Sequence, residues 1–232
     1  MTLLPDLTNF NAELEAGTTI LAVAKAAGVQ HVVYSTTVPV PETEPDHFAA
    51  LAFKPKLMLE KALPEAGFPR WTILRPGFFM PNYLSPKVNA QFPGAAEEGL
   101  FTTGFRPTSM LPMVDHEDIG KFAVAAFQQP DRFHAQGIDV ISQAVTVEQS
   151  METMRRVLGR PEIRARYLDG EELRAAQATN PVLIMHELLG RVDPYAGVDP
   201  REAVEKWGVE MTTFEEFIVR ERKDFDETYR NV

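Results

Sequence analysis

A chain of 232 residues with 44% hydrophobic side chains can bury one large core, or a core with a smaller appendage, which excludes a disordered chain. Its net charge of −10 and pI near 5.0 repel phosphate backbones and anionic lipid heads, so neither nucleic acid nor a membrane surface is expected as a direct partner. The lack of cysteine excludes disulfides, thiolate nucleophiles, iron–sulfur clusters and cysteine-type zinc sites, and is compatible with a reducing compartment.

From Ala12 to Ala27 the chain places Leu14, Ile20, Leu21, Val23, Ala24 and Ala27 on a broad apolar face with Gly28 as a stop, which predicts a helix. His31-Val32-Val33-Tyr34-Ser35 is short, β-branched and almost continuously apolar, as in a strand covered on both faces. Pro55 is expected at the first position of a second helix that runs through Leu57, Leu59 and Leu63 towards Gly67. Trp71 to Leu74 then predicts a second buried strand, ending at Arg75-Pro76-Gly77. Helix, strand, helix, strand at this spacing predicts an α/β fold with a parallel sheet flanked by helices.

The second half differs. Asp118 reads as the N-cap of a helix with Ile119, Phe122, Ala123, Ala126 and Phe127 on its apolar face, stopped before Pro130. A strand is expected at Ile138 to Ile141, a helix opened by Thr146 with Glu148 and Gln149 and ended by Gly159, and a short strand within Glu162 to Leu168. The remainder reads as helical and charged. Residue 145 is a soft boundary between a core over 1–145 and a small, mostly helical lobe over 146–232, within one continuous body. No run of 18 apolar residues and no basic n-region followed by an apolar stretch is seen, so a cytoplasmic protein is expected.

Several segments carry a family resemblance. The run Ala24 to Thr36 around Gly28-Val29 and Val33-Tyr34-Ser35, then Lys56 with Glu60, then Ile73-Leu74-Arg75-Pro76-Gly77-Phe78-Phe79-Met80-Pro81-Asn82, and finally Val114-Asp115 with Asp118-Ile119-Gly120, resembles the NmrA-like family of atypical short-chain dehydrogenase/reductase proteins. The resemblance covers residues 12 to 160 well and the C-terminal helices loosely. It implies a Rossmann-like domain that binds NADP or NAD and acts on a small-molecule substrate.

The family's glycine-rich turn, which lets backbone amides approach the pyrophosphate at a helix N-terminus, has no counterpart: none of the fourteen glycines stands two from another. The chain resembles a family member that begins midway, hence a partial Rossmann-like sheet. An exposed sheet edge would then call for a second copy or a protein partner. The nicotinamide end is better represented. Ser35 and Thr36 end the first strand, where hydroxyls face the ligand crevice of a parallel sheet, or else cap the next turn. Pro76, Gly77 and Phe78 end the second strand, where Gly77 permits close approach and the phenylalanines wall a nicotinamide or serve as core. Phe79, Asn82 and His47 are the expected substrate-side residues, His47-Phe48 resembling the H-F that precedes the family lysine.

Lys56 matches the lysine that in the family holds the cofactor ribose and stabilises an oxyanion, so Lys56, Ser35 and Thr36 are the candidate catalytic residues. Four positions earlier stands Ala52, where the short-chain dehydrogenase Y-x-x-x-K pair has its tyrosine. Lys56 and Glu60 also fit an ordinary i,i+4 surface pair. The one Y-x-x-x-K, Tyr83 with Lys87, is broken by Pro86 and reads as incidental. Asp115-His116-Glu117-Asp118 reads as a capping turn rather than a metal site, and His31, His47, His134 and His186 are scattered. Two functions remain: NAD(P)H-dependent reduction of a small apolar carbonyl or enone, or a non-catalytic role as dinucleotide sensor, protein-binding regulator or inactive pseudoenzyme.

Overall fold

Helix α1 (Ala12–Ala26) ends where Gly28 takes φ +76°, a left-handed conformation that glycine adopts without a Cβ penalty. The structure, a computed structural model, describes residues 9, 11–39, 44, 48–191 and 201–232. After α1 come β1 (His31–Ser35), α2 (Phe48–Glu65), β2 (Arg70–Pro76) and β3 (Phe78–Phe79). A 3-10 turn, Met80–Tyr83, and two single-turn helices, α3 (Val88–Gln91) and α4 (Ala95–Glu98), lead to β4 (Leu100–Thr103) and β5 (Met110–Val114). The chain continues through α5 (His116–Gln128), α6 (Pro130–Phe133), β6 (Gln136–Val140), β7 (Gln143–Thr146), α7 (Val147–Leu158) and β8 (Arg164–Tyr167). It closes with α8 (Gly170–Gln177), α9 (Val182–Leu189), α10 (Arg201–Trp207), α11 (Phe214–Arg220) and α12 (Arg222–Thr228). Among the described residues no helix is long and apolar enough to cross a membrane.

The chain divides into two units, Met1–Gly77 with Glu117–Val140 and Phe78–His116 with Ile141–Val232. In the first, β1, β2 and β6 form a sheet in the order β1-β2-β6, with both pairings parallel. This is the α/β arrangement that the near-continuous apolar runs predict. Leu21 from α1, Leu59 and Leu63 from α2, and Val32, Tyr34 and Ile73 from the sheet make one buried cluster. Each fully buried leucine there contributes about 2 kcal/mol of transfer free energy.

Two helix starts differ from expectation. Helix α2 runs through Pro55 rather than beginning at it, and Pro64 also lies inside. Proline removes one helical hydrogen bond, and burial of Leu59 and Leu63 outweighs that loss. Helix α5 begins at His116, so Asp118 lies in the first turn instead of capping it. Its buried carboxylate accepts from Lys121 Nζ at 2.6 Å, one turn along the helix, and it faces the positive end of the helix dipole.

The second unit holds β3-β5-β7 and β4-β8. The β3–β5 and β4–β8 pairs are parallel, and β5–β7 is antiparallel. Its core is aromatic, with Tyr83, Phe92, Phe101, Phe214, Phe217, Phe225 and Tyr229 all buried. The buried Tyr229 hydroxyl donates to the Tyr83 carbonyl at 2.6 Å, as an interior hydroxyl requires. Thr146 opens α7 with the expected capping box: its Oγ1 accepts from the Gln149 amide at 3.1 Å and the Gln149 side chain accepts from the Thr146 amide at 2.8 Å.

Candidate functional site

Because β1, β2 and β6 are parallel, their carboxyl ends finish at one side of the sheet. Ser35 is opposite Leu74 and Pro76 is opposite Val140. Beyond the ladder, the Thr36 amide donates to Leu74 O at 2.8 Å, the Val38 amide to Pro76 O at 3.0 Å, and the Gly77 amide to Val140 O at 3.2 Å. Ser35, Thr36, Pro76 and Gly77 are thus brought to the sheet edge where ligands of parallel α/β sheets bind. Ser35 and Gly77 are half-buried. Thr36 is buried, and its hydroxyl has no hydrogen-bond partner among the described residues.

Lys56 is engaged differently from the i,i+4 expectation. Its Nζ lies 2.6 Å from Glu13 Oε1, in a pair whose side chains are 12% and 1% exposed. The bond clamps α2 to the first turn of α1. Glu60 is held by Arg75, whose Nε and Nη2 reach Oε2 at 3.0 and 2.8 Å, a two-pronged contact suited to a planar guanidinium. Arg75 Nη1 also lies 3.8 Å from Asp139 Oδ1. Burial raises the Asp139 pKa against the pull of Arg75. Three carboxylates and two cations therefore tie both helices and the sheet together in place of a surface pair.

Ala52 is half-buried on α2 and supplies no hydroxyl near Lys56. The tyrosine of this region is Tyr34, fully buried on β1. Burial, with the Glu13 carboxylate adding to it, pushes the Tyr34 pKa far above its usual value of 10.0, because an anion is disfavoured where it is desolvated and faces like charge. Its hydroxyl stays protonated at neutral pH and is a hydrogen-bond donor rather than an acid. Glu13, Arg75 and Tyr34 were not singled out from the sequence. Glu13 reads there as an ordinary acid in a first helical turn, and Arg75 and Tyr34 as parts of strand ends.

The remaining sequence candidates fall elsewhere. Phe78 and Phe79 form β3 in the second unit, opposite Met113 and Val114 of β5. Phe78 is half-buried, with its ring 6.1 Å from those of Tyr83 and Phe92, so it is part of the aromatic core. Asn82 is half-buried in the Met80–Tyr83 turn. His47 lies outside the described residues. Tyr83 and Lys87 share no helix, the first ending a 3-10 turn and the second capping α3. Two histidines have structural roles: His31 Nε2 is 3.1 Å from Thr72 Oγ1, and His134 Nδ1 accepts from the Trp71 amide at 3.3 Å.

The family model described as the NmrA-like family matches residues 3–218. A curated relative, the NmrA-like family domain-containing oxidoreductase malD of Malbranchea aurantiaca, is 27% identical over 165 residues, covering 68% of this chain and 48% of the relative. The (4-alkanoyl-5-oxo-2,5-dihydrofuran-3-yl)methyl phosphate reductase of Streptomyces griseus is 32% identical over 144 residues, 61% of this chain and 47% of that protein. The chain thus spans about half the length of these curated relatives. Among solved structures, an NADPH-dependent quinone oxidoreductase (QOR2) of Escherichia coli superposes with a TM-score of 0.65 at 19% identity, covering 93% of this chain and 80% of that one, which shows a shared Rossmann-like fold.

Of the candidate catalytic groups, the Ser35 hydroxyl is half-buried at the carboxyl end of β1, the Thr36 hydroxyl is buried, and the Lys56 ammonium is bound to Glu13 at 2.6 Å. For the pyrophosphate, the sequence contains no G-x-G turn.

Proposed function

This chain belongs to the NmrA-like family, and from that membership we propose that it carries the nicotinamide-facing part of an NAD(P)H-dependent reductase for a small apolar carbonyl or enone. The observation that carries the reading is the gathering of Ser35, Thr36, Pro76 and Gly77 at the carboxyl end of β1 and β2. The bound dinucleotide would supply the hydride. Pro76 and Gly77 would bound its nicotinamide, with Ser35 and Lys56 on the ribose. Ser35 or Thr36 would hold the substrate oxygen, and Lys56 would stabilise the negative charge that develops there while a proton arrives from water or a hydroxyl. The curated relatives support this class, since one is a reductase and the other an oxidoreductase.

NADPH and NADH titrated against the purified chain, followed by nicotinamide fluorescence, should show binding, with turnover on a panel of small ketones, aldehydes and enones. Thr36→Val and Ser35→Ala should each lower turnover at least tenfold while the protein remains folded. No binding of either dinucleotide at millimolar concentration would defeat the reading. Binding without turnover across the panel would support the second role of a dinucleotide sensor.

A further inference from the structure

The carboxyl end of β2 is held by few backbone bonds. Pro76 has no N–H to give to the ladder, and after it the Gly77 amide reaches Val140 O at 3.2 Å, against 2.8 Å for the Thr36 amide to Leu74 O. Arg75 stands immediately before this end. Its Nε and Nη2 hold Glu60 Oε2 at 3.0 and 2.8 Å, and Nε also lies 3.2 Å from Oε1. Glu60 is next to Leu59, which is fully buried under α2, so its carboxylate is a fixed point. On the other side Arg75 Nη1 is 3.8 Å from Oδ1 of Asp139, the residue opposite Arg75 on β6.

Gly137 makes this posture possible. It is opposite Ile73 and two residues before Asp139, hence on the same face of the sheet as Arg75. A Cβ at position 137 would stand 2.8 Å from Arg75 Nη1 and 3.0 Å from both Cζ and Nη2, closer than real contacts allow. Gly137 does not take a positive φ, so the bare position serves the guanidinium rather than the backbone. We propose that Arg75 is a positioning residue that fixes the Pro76–Gly77 end of β2, with Gly137 as the seat its guanidinium needs. The two-pronged contact sets orientation as well as distance. Its consequence for function rests on the reading given above: the clamp holds the Gly77 backbone where a nicotinamide approaches.

The test uses the whole chain, first without dinucleotide. Arg75→Gln removes the clamp. Gly137→Ala adds one methyl that displaces the guanidinium, although alanine by itself suits a strand better than glycine. In both variants the Gly77 and Val38 amides are expected to exchange hydrogen at least about tenfold faster than in wild type, through local opening of the strand end. The Arg70 and Ala135 amides, bonded to Gln30 O and Trp71 O at the other end of the sheet, should keep their rates, which a general loss of stability would not allow. Unchanged exchange at Gly77 and Val38 in either variant, or equal acceleration of all these amides, would overturn the proposal. In a second arm, nicotinamide fluorescence should show both variants binding NADPH about tenfold more weakly than wild type, because the edge is no longer pre-organised. Equal affinities would overturn the consequence for the site. Absence of NADPH binding by the wild-type chain would defeat the functional reading alone, since the exchange arm is read without dinucleotide.

Discussion

Lowering the pH from 7 to 5 should weaken this protein through one buried histidine. His186, on α9, is 2% exposed. Its ring stacks on Phe105 at 4.3 Å and lies 5.4 Å from Phe92. Nδ1 is 3.0 Å from Thr103 Oγ1, and Nε2 has no partner among the described residues. Burial lowers its pKa from 6.5 to about 3, since a second N–H would sit in an aromatic core with no acceptor. A group whose folded pKa lies below its unfolded value contributes stability that is complete above the unfolded pKa, here near 6.5. That stability is lost as the pH falls towards 3. The unfolded chain binds close to one more proton across that window, so stability drops by about 1.4 kcal/mol per pH unit. Between pH 7 and pH 5 the loss is about 2 kcal/mol, or roughly 4–8 °C in melting temperature for a chain of this size. Urea unfolding at pH 7, 6 and 5 of wild type and His186→Gln isolates the contribution, because the variant shifts stability at every pH while removing this proton from the slope. Parallel pH dependences in the two proteins would refute the argument.

The Glu13–Lys56 pair should behave as a buried clamp. Lys56→Met, which strands the Glu13 carboxylate, is expected to cost about 3 kcal/mol in urea unfolding, and Glu13→Gln added to it should recover most of that; a loss below about 1 kcal/mol with no recovery would show the pair to be inconsequential. In the second unit, Asp115 is fully buried and takes Arg220 on both carboxylate oxygens, with the Nη2–Oδ1 arm at 3.1 Å. His116 Nδ1 also lies 3.0 Å from Asp115 Oδ1. Arg220→Lys should therefore lose about 1–2 kcal/mol by calorimetry, because an ammonium cannot reproduce the two-pronged contact, and equal melting temperatures would contradict it.

The elements read from the sequence are those whose signals are local. Helix α1 with its glycine stop, the apolar strands β1 and β2, and the Thr146 capping box each follow from residues within a few positions of one another. Strand β5 was not expected, because it sits between β3 and β7 with Pro112 inside it, a residue that argues against an inner strand. The aromatic core was equally hidden: Tyr83 and Tyr229 look like unrelated tyrosines until a hydrogen bond joins them. Pro55 misled for the opposite reason, since a favoured helix-start residue was overridden by the burial of Leu59 and Leu63 beyond it.

At the candidate site, the sequence alone identified the strand-end residues Ser35, Thr36, Pro76 and Gly77, because parallel strands place their carboxyl ends together and their apolar runs mark where they end. It also determined that residue 52 carries no hydroxyl and that no G-x-G turn is present, facts of composition that folding cannot alter. What Lys56 touches was decided only by tertiary structure. Periodicity offers it Glu60, four residues away on the same helix, but packing of α1 against α2 delivers Glu13 to it and turns Glu60 to Arg75. A charge finds its partner through burial, where desolvation makes a close partner necessary, and the identity of that partner depends on which helices meet.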